Sequence, residues 1–152
     1  MTIKIGIDFG TVRVGVALSA PDSQVALPHA TLINDESLIN NLVTLIKDNQ
    51  VAVIYLGLPL NLKGQVTQSA KKALELGMRL QEVLSEIPVR MIDERFTSSN
   101  ANAALQAAGL TTRETKGLVD QVAAVAVLGQ ALEIEQRSGS LAGKSPQDWI
   151  GE

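Results

Sequence analysis

The stretch Ile3–Ser19 decides the fold, and it reads IKIGIDFGTVRVGVALS. Two runs of apolar and β-branched residues flank a Gly-Thr turn, a pattern typical of two strands joined tightly. One carboxylate, that of Asp8, stands where the first run ends. An acid between apolar strand residues needs a metal ion or the backbone amides of a turn to solvate it, so Asp8 marks a candidate site.

The composition is typical of one soluble globular domain. The chain has 152 residues, of which 45% are hydrophobic and 19% are charged, and these are enough to bury a sizeable core. Cysteine is absent, which excludes disulfides, thiolate metal sites and a cysteine nucleophile. The sequence shows no signal peptide and no membrane-spanning run, so we expect a cytoplasmic protein without membrane partners. The net charge of -3 argues against a broadly basic surface, but it is compatible with a local basic groove.

The hydrophobic pattern predicts a meander followed by alternating helices and strands. The expected strands are 2–9, 12–20, 26–33, 51–56 and 89–92. The expected helices are one capped by Asn34 that reaches 49, one over 65–86, one from Thr97 or Ser98 to 108, and one over 117–136. Because parallel strands require crossover helices, we expect an α/β fold with a mixed five-stranded sheet and helices on both faces.

We expect one domain over 1–137 and a separate tail over 138–152. The tail is rich in Gly, Ser and Pro. Two alternatives are open for it: packing onto the domain through Trp149 and Ile150, or flexibility.

Three acids are candidates for a single site. Asp8 and Glu94 follow predicted strands, and Asp120 lies in the first turn of the last predicted helix. Ligands on such sheets gather beyond the carboxyl ends of the parallel strands. Three converging carboxylates repel one another unless cations bind them, and oxygen-only ligation favours Mg²⁺ or Mn²⁺ over Zn²⁺. The pattern therefore indicates two-metal phosphoryl transfer, in which two ions about 3.5–4 Å apart act on one phosphodiester.

Each acid taken alone has a simpler interpretation. Amide hydrogen bonds from the turn explain Asp8, a surface ion pair with a neighbouring arginine explains Glu94, and the helix dipole explains Asp120. Asp93 is adjacent to Glu94 and points to the opposite face of its strand, so we expect it to be structural.

Four blocks in order along the chain carry a family resemblance. They are Gly6–Gly10 with Arg13–Ala17, Gly57–Pro59 with Asn61 and Gly64, Asp93–Ser98, and Lys116 with Val119–Ala124. Together they resemble the YqgF family of pre-ribosomal-RNA nucleases, which is also described as Holliday-junction-resolvase-like. The resemblance covers about residues 3–135 and implies the ribonuclease H-like fold.

The resemblance implies a metal-dependent nuclease that acts on structured nucleic acid. The implied substrate is the 5′ end of precursor small-subunit ribosomal RNA, with branched DNA as the alternative. Two Mg²⁺ or Mn²⁺ ions would be held by the matched acids Asp8, Glu94 and Asp120. The candidate substrate contacts are Arg13, Arg95, Lys116 and Asn61, of which Arg95 is the best placed for phosphate. Two positions depart from the family pattern, Val12 where Lys is usual and Ala20 where Asp is common, and both concern substrate contacts or turn stability rather than metal binding.

Two other classes of function are compatible with the sequence. A nucleic-acid-binding module without catalysis fits the acidic balance, although carboxylates near phosphate would weaken its binding. The segment Gly6–Thr11 also resembles the first phosphate loop of the actin, Hsp70 and sugar-kinase group, but that group needs two such domains with nucleotide between them. Monomer and homodimer are both open, and junction resolution would favour the dimer.

Overall fold

The computed structural model describes residues 2–96 and 119–150, with the side chains of Phe96, Val119 and Asp120 outside the description. The strands are β1 (Ile3–Phe9), β2 (Arg13–Ser19), β3 (Ala26–Ile33), β4 (Val51–Leu58) and β5 (Val89–Asp93). The helices are α1 (Leu38–Asp48), α2 (Gln68–Val83), α3 (Val119–Ser138) and α4 (Pro146–Ile150), and a 3₁₀ turn, Glu94–Phe96, follows β5.

The five strands form one mixed sheet in the order β3-β2-β1-β4-β5. Strand β2 is antiparallel to β1 and β3, whereas β4 is parallel to both β1 and β5. The predicted meander and parallel strands are therefore confirmed. Because β1, β4 and β5 run the same way, their carboxyl ends meet at one edge, which we call the carboxyl edge.

The sheet buries both of its faces, as predicted. Alternate strand residues such as Ile54 and Leu56 pack with residues of α1 and α2. The intervening Val53 and Tyr55 face the other way and pack with Leu128 and its neighbours in α3. A strand with two buried faces reads as a continuous apolar run because side chains alternate between the faces.

The helix after β3 begins later than predicted. The residue before its first turn is Ser37, whose N–H donates to Asp35 Oδ1 at 2.9 Å, so the prediction that Asn34 caps this helix is wrong. Asn34 Nδ2 instead donates to the carbonyl oxygens of Gly10 at 2.9 Å and Thr11 at 3.3 Å. These bonds hold the β1–β2 turn against the end of β3.

Two further boundaries concern the site. Strand β4 continues through Gly57 to Leu58, so it is two residues longer than the predicted strand 51–56. The helix predicted from Thr97 or Ser98 to 108 lies outside the described residues. No helix among residues 2–96 and 119–150 is long and apolar enough to cross a membrane.

The segment after α3 returns to the sheet beside β5. Lys144 pairs with Met91, whose N–H donates to the Lys144 carbonyl at 2.7 Å. Helix α4 then lies against α2, and the Lys144 Nζ atom lies 5.3 Å from the centroid of the Trp149 ring. Residues 144–150 therefore cover part of the sheet edge and of α2.

Candidate active site

Asp8 faces helix α3 at the carboxyl edge. A Cβ built at Gly6 would lie 2.6 Å from Leu128 Cβ, so Gly6 faces α3. Side chains two residues apart on a strand share a face, and Asp8 therefore points to the same side. It is half-buried.

The side chain of Glu94, which follows β5, extends across β4 to the same place. A Cβ built at Gly57 would lie 2.5 Å from Glu94 Oε1, so the Glu94 side chain lies over β4 at that glycine. Its carboxyl group is hydrogen-bonded to Asp8. Since β4 separates β1 from β5, these two acids meet by spanning one intervening strand.

The two carboxyl groups cannot readily ionise together. Burial, the hydrogen bond to Asp8 and the charges of Asp8 and Asp93 together raise the pKa of Glu94 to about 8, with burial as the largest cause. Glu94 therefore keeps its proton at neutral pH and is hydrogen-bonded to Asp8. Without a metal ion, this pair of carboxyl groups holds a proton. A bound cation would allow both groups to be negatively charged.

The raised pKa of Glu94 predicts how stability without metal depends on pH. The group keeps its proton in the folded chain but loses it near pH 4.5 when unfolded, so its stabilising contribution is full below about pH 4.5 and is lost as pH rises to about 8. We expect Glu94→Gln, which cannot ionise, to remove a slope of up to about 1.4 kcal/mol per pH unit in that window. Urea unfolding in EDTA at pH 5, 6, 7 and 8 measures this slope. Parallel profiles for the two proteins would contradict the prediction.

Helix α3 runs from the carboxyl edge towards the opposite edge of the sheet. Ala124, in its first half, lies over Gly6. Glu135, near its end, forms an ion pair with Lys4 close to the start of β1. The N-terminal end of α3 therefore points to the edge that carries Asp8.

The first turn of α3 is bonded to the sheet in the register of Asp8. Gln121 Nε2 donates to Thr31 Oγ1 of β3 at 3.1 Å. Thr31 pairs with Gly15 of β2, and Gly15 pairs with Asp8.

The acid set is described for two of its three members. The structure brings Asp8 and Glu94 together, whereas the Asp120 side chain and Lys116 lie outside the described part of the chain. Among the described side chains, no group of three His, Cys, Asp or Glu residues is placed to hold a metal ion. The role of Asp120 as the third ligand stays a prediction.

Arg95 is held beside the acid pair by Asp93. Its Nη2 lies 2.7 Å from Asp93 Oδ2, and its backbone N–H donates to Asp93 Oδ1 at 3.0 Å. The Asp93 carboxylate is thus engaged with Arg95 while its charge still acts on Glu94. Arg95 therefore has a defined position next to Glu94, one of the candidate metal ligands.

The loop after β4 contacts the side chain of Arg95. Asn61 Oδ1 accepts the N–H groups of Lys63 at 3.0 Å and Gln65 at 2.9 Å. Gly64 has a φ of +78°, and a Cβ there would lie 3.0 Å from Arg95 Nη1. The Asn61 oxygen thus shapes the loop, and its predicted contact with substrate stays a prediction.

Arg13 lies on the same face of the sheet as Asp8. Asp8 pairs with Gly15 across the β1–β2 ladder, and directly opposed residues share a face. Arg13 precedes Gly15 by two residues, so it shares that face, and it is exposed at the start of β2. The carboxyl edge therefore has one arginine on each side of the acid pair.

Gly57 is the site residue that the sequence reasoning missed. The predicted strand ends at 56, whereas Gly57 lies within β4 beneath Glu94. A signal was present in the run VAVIYLGL, because an isolated glycine inside a buried strand indicates the close approach of another group.

The fold and the acid pair together define the class of ribonuclease H-like nucleases, as predicted. A family model described as "RuvX: Holliday junction resolvase" matches residues 2–134. The chain therefore belongs to the RuvX family of nucleases.

Two similar proteins match the sequence over most of this chain. A protein from Mycobacteroides abscessus named "Putative pre-16S rRNA nuclease" is 38% identical over 140 residues, which cover 90% of this chain and 84% of that protein. One of the same name from Corynebacterium jeikeium is 39% identical over 137 residues, covering 89% and 88%.

Solved structures show the same fold at low identity. T. thermophilus RuvC in complex with a Holliday junction substrate has a TM-score of 0.59 and 13% identity, covering 93% of this chain and 98% of that one. Fowlpox virus resolvase with Holliday junction DNA has a TM-score of 0.56 and 13% identity, covering 87% and 97%. At this identity the likeness concerns the fold, and it agrees with the predicted mixed sheet.

Proposed function

We propose that this protein is a divalent-metal-dependent nuclease that hydrolyses phosphodiester bonds in structured nucleic acid. The observation that carries the proposal is the Asp8–Glu94 pair at the carboxyl edge, with the first turn of α3 bonded to the sheet in the register of Asp8. Asp8, Glu94 and Asp120 are the proposed ligands of two Mg²⁺ or Mn²⁺ ions. Carboxylate oxygens are the donors that these hard cations prefer.

The electrostatics of the pair support metal binding. Glu94 is forced to keep a proton beside Asp8, and a cation between the carboxylates would replace that proton and remove their repulsion. When bound, divalent ions supply a more acidic water and neutralise charge on the departing oxygen. The protein's own part is to hold two oxygen donors together across the intervening strand β4, so that little reorganisation is needed at the moment of reaction.

Cationic residues around the pair support binding of a phosphate backbone. Asp93 orients Arg95, which contacts the loop at Gly64. Arg13 lies on the other side of the acid pair, on the same face of the sheet as Asp8. Guanidinium groups bind phosphate through paired N–H donors, and a preset orientation reduces the entropy lost on binding. Lys116 and Asn61 complete the proposed set of substrate contacts.

We propose precursor small-subunit ribosomal RNA, at its 5′ end, as the substrate, and the cytoplasm as the place of action. The support is the name pre-16S rRNA nuclease carried by relatives that are 38% and 39% identical over most of the chain. A four-way DNA junction is the second candidate, because the matching family model is described as a Holliday junction resolvase. Symmetric junction cleavage needs two sites, so it would require a homodimer, whereas RNA trimming is compatible with a monomer.

Removal of the metal tests the proposal. Purified protein is incubated with a precursor 16S rRNA fragment, a four-way DNA junction and linear duplexes of matched length, each in Mg²⁺, Mn²⁺ or EDTA. We expect cleavage of the RNA precursor with either ion and none in EDTA. Cleavage that survives EDTA would contradict the metal mechanism, and preferential cutting of the junction would favour the second substrate. Tight ATP binding with no cleavage would instead favour the phosphate-loop alternative.

A further inference from the structure

The reach of Glu94 to Asp8 depends on an open path over β4. Adjacent strands lie about 4.8 Å apart, so β1 and β5 are separated by about 10 Å at this edge. A glutamate at the end of β5 crosses most of that gap only if nothing rises from β4 beneath it. The residue at that point is Gly57, and β4 continues through it.

A side chain at position 57 would occupy the space that Glu94 uses. A Cβ there would lie 2.5 Å from Oε1, 2.8 Å from Cδ and 3.0 Å from Cγ of Glu94. All three atoms belong to a flexible side chain, which can rotate away. The backbone of β4 therefore need not move, and the expected consequence of a methyl group is displacement of the carboxyl alone.

We propose that Gly57 is a positioning residue for metal binding: its missing side chain is the path through which Glu94 joins Asp8. The inference rests on the proposed function, because it assigns the purpose of the path to the metal ligands. A larger residue at 57 would leave the sheet folded and move one oxygen donor out of reach. The role is separate from strand termination, since β4 does not end at this residue.

The test compares Gly57→Ala with Gly129→Ala. At Gly129, on α3, a Cβ would meet nothing within 4 Å, so the same chemical change is made in open space. We expect Gly57→Ala to weaken Mn²⁺ binding by about 10- to 100-fold, the range found when groups that orient metal ligands are changed. We expect Gly129→Ala to leave the Mn²⁺ affinity unchanged. Calorimetric titration with Mn²⁺ alone measures both.

A double variant shows whether the effect passes through Glu94. In a Glu94→Ala background the group that clashes is absent, so adding Gly57→Ala should leave the remaining Mn²⁺ affinity unchanged. A further loss in that background, or a Gly57→Ala protein that binds Mn²⁺ as the natural chain does, would overturn the role of Gly57. A fall in unfolding temperature when Gly57→Ala is added to the Glu94→Ala background would also overturn it, because the clash would then not be confined to Glu94. If the natural chain binds no Mn²⁺, the metal-dependent function itself is overturned, a result distinct from equal binding by both proteins.

Discussion

Replacing Asp8 with asparagine is expected to lower the rate of metal-dependent cleavage by about 1,000-fold. The substitution keeps the size of the side chain and removes the negative charge that, with Glu94, would hold a divalent cation. Metal ions contribute several kcal/mol of charge stabilisation in such reactions, and about 4 kcal/mol corresponds to a factor of 1,000 in rate. Initial rates on the preferred substrate, in Mg²⁺ and separately in Mn²⁺, measure the effect.

Asp48→Asn provides the matched control for this substitution. Asp48 is exposed at the last position of α1, so the same loss of charge occurs at the protein surface. We expect the control to cleave at the natural rate, and both variants to unfold cooperatively in EDTA. A folded Asp8→Asn protein that retains a tenth or more of the activity would contradict the assignment of Asp8.

The strands of the sheet were predictable because buried positions give the sequence a regular pattern of apolar residues. Strand β4 is apolar on both faces, and the pattern Ile3–Ser19 alternates around a turn, so their element types follow from local information. The N-terminal cap of α1 did not follow from local information. Several residues after β3 are good caps, and the choice among them depends on a distant carbonyl group, that of Gly10, which engages Asn34 instead.

The convergence of Asp8 and Glu94 was predictable for a related reason. Both follow strands, and the carboxyl ends of parallel strands share one edge. The isolated glycine of β4 indicated the close approach of some group, but the sequence did not identify Glu94 as that group, because this depends on which residue of β4 lies between the two acids. The ion pair between Asp93 and Arg95 was not predictable either, because it depends on side-chain rotamers. The contact of Arg95 with the loop at Gly64 depends on a backbone turn that the hydrogen bonds of Asn61 set.

Gly6→Ala is expected to have the largest effect on folding, a loss of about 3 kcal/mol in the free energy of unfolding. A Cβ at this position would lie 2.6 Å from Leu128 Cβ and 2.7 Å from the carbonyl oxygen of Ala124. The obstacle here is helix backbone and a Cβ fixed to it, so relief requires α3 to move away from the sheet. This differs from Gly57, where the obstacle is the far end of one side chain.

The same substitution in α3 itself separates packing from the general effect of removing a glycine. At Gly129 a Cβ meets nothing within 4 Å, so we expect Gly129→Ala to stabilise the protein by about 0.5–1 kcal/mol through the higher helix propensity of alanine. Urea unfolding of both variants in EDTA, followed by far-UV circular dichroism, measures the two changes. If Gly6→Ala is as stable as the natural chain, then α3 does not lie as close to β1 as described.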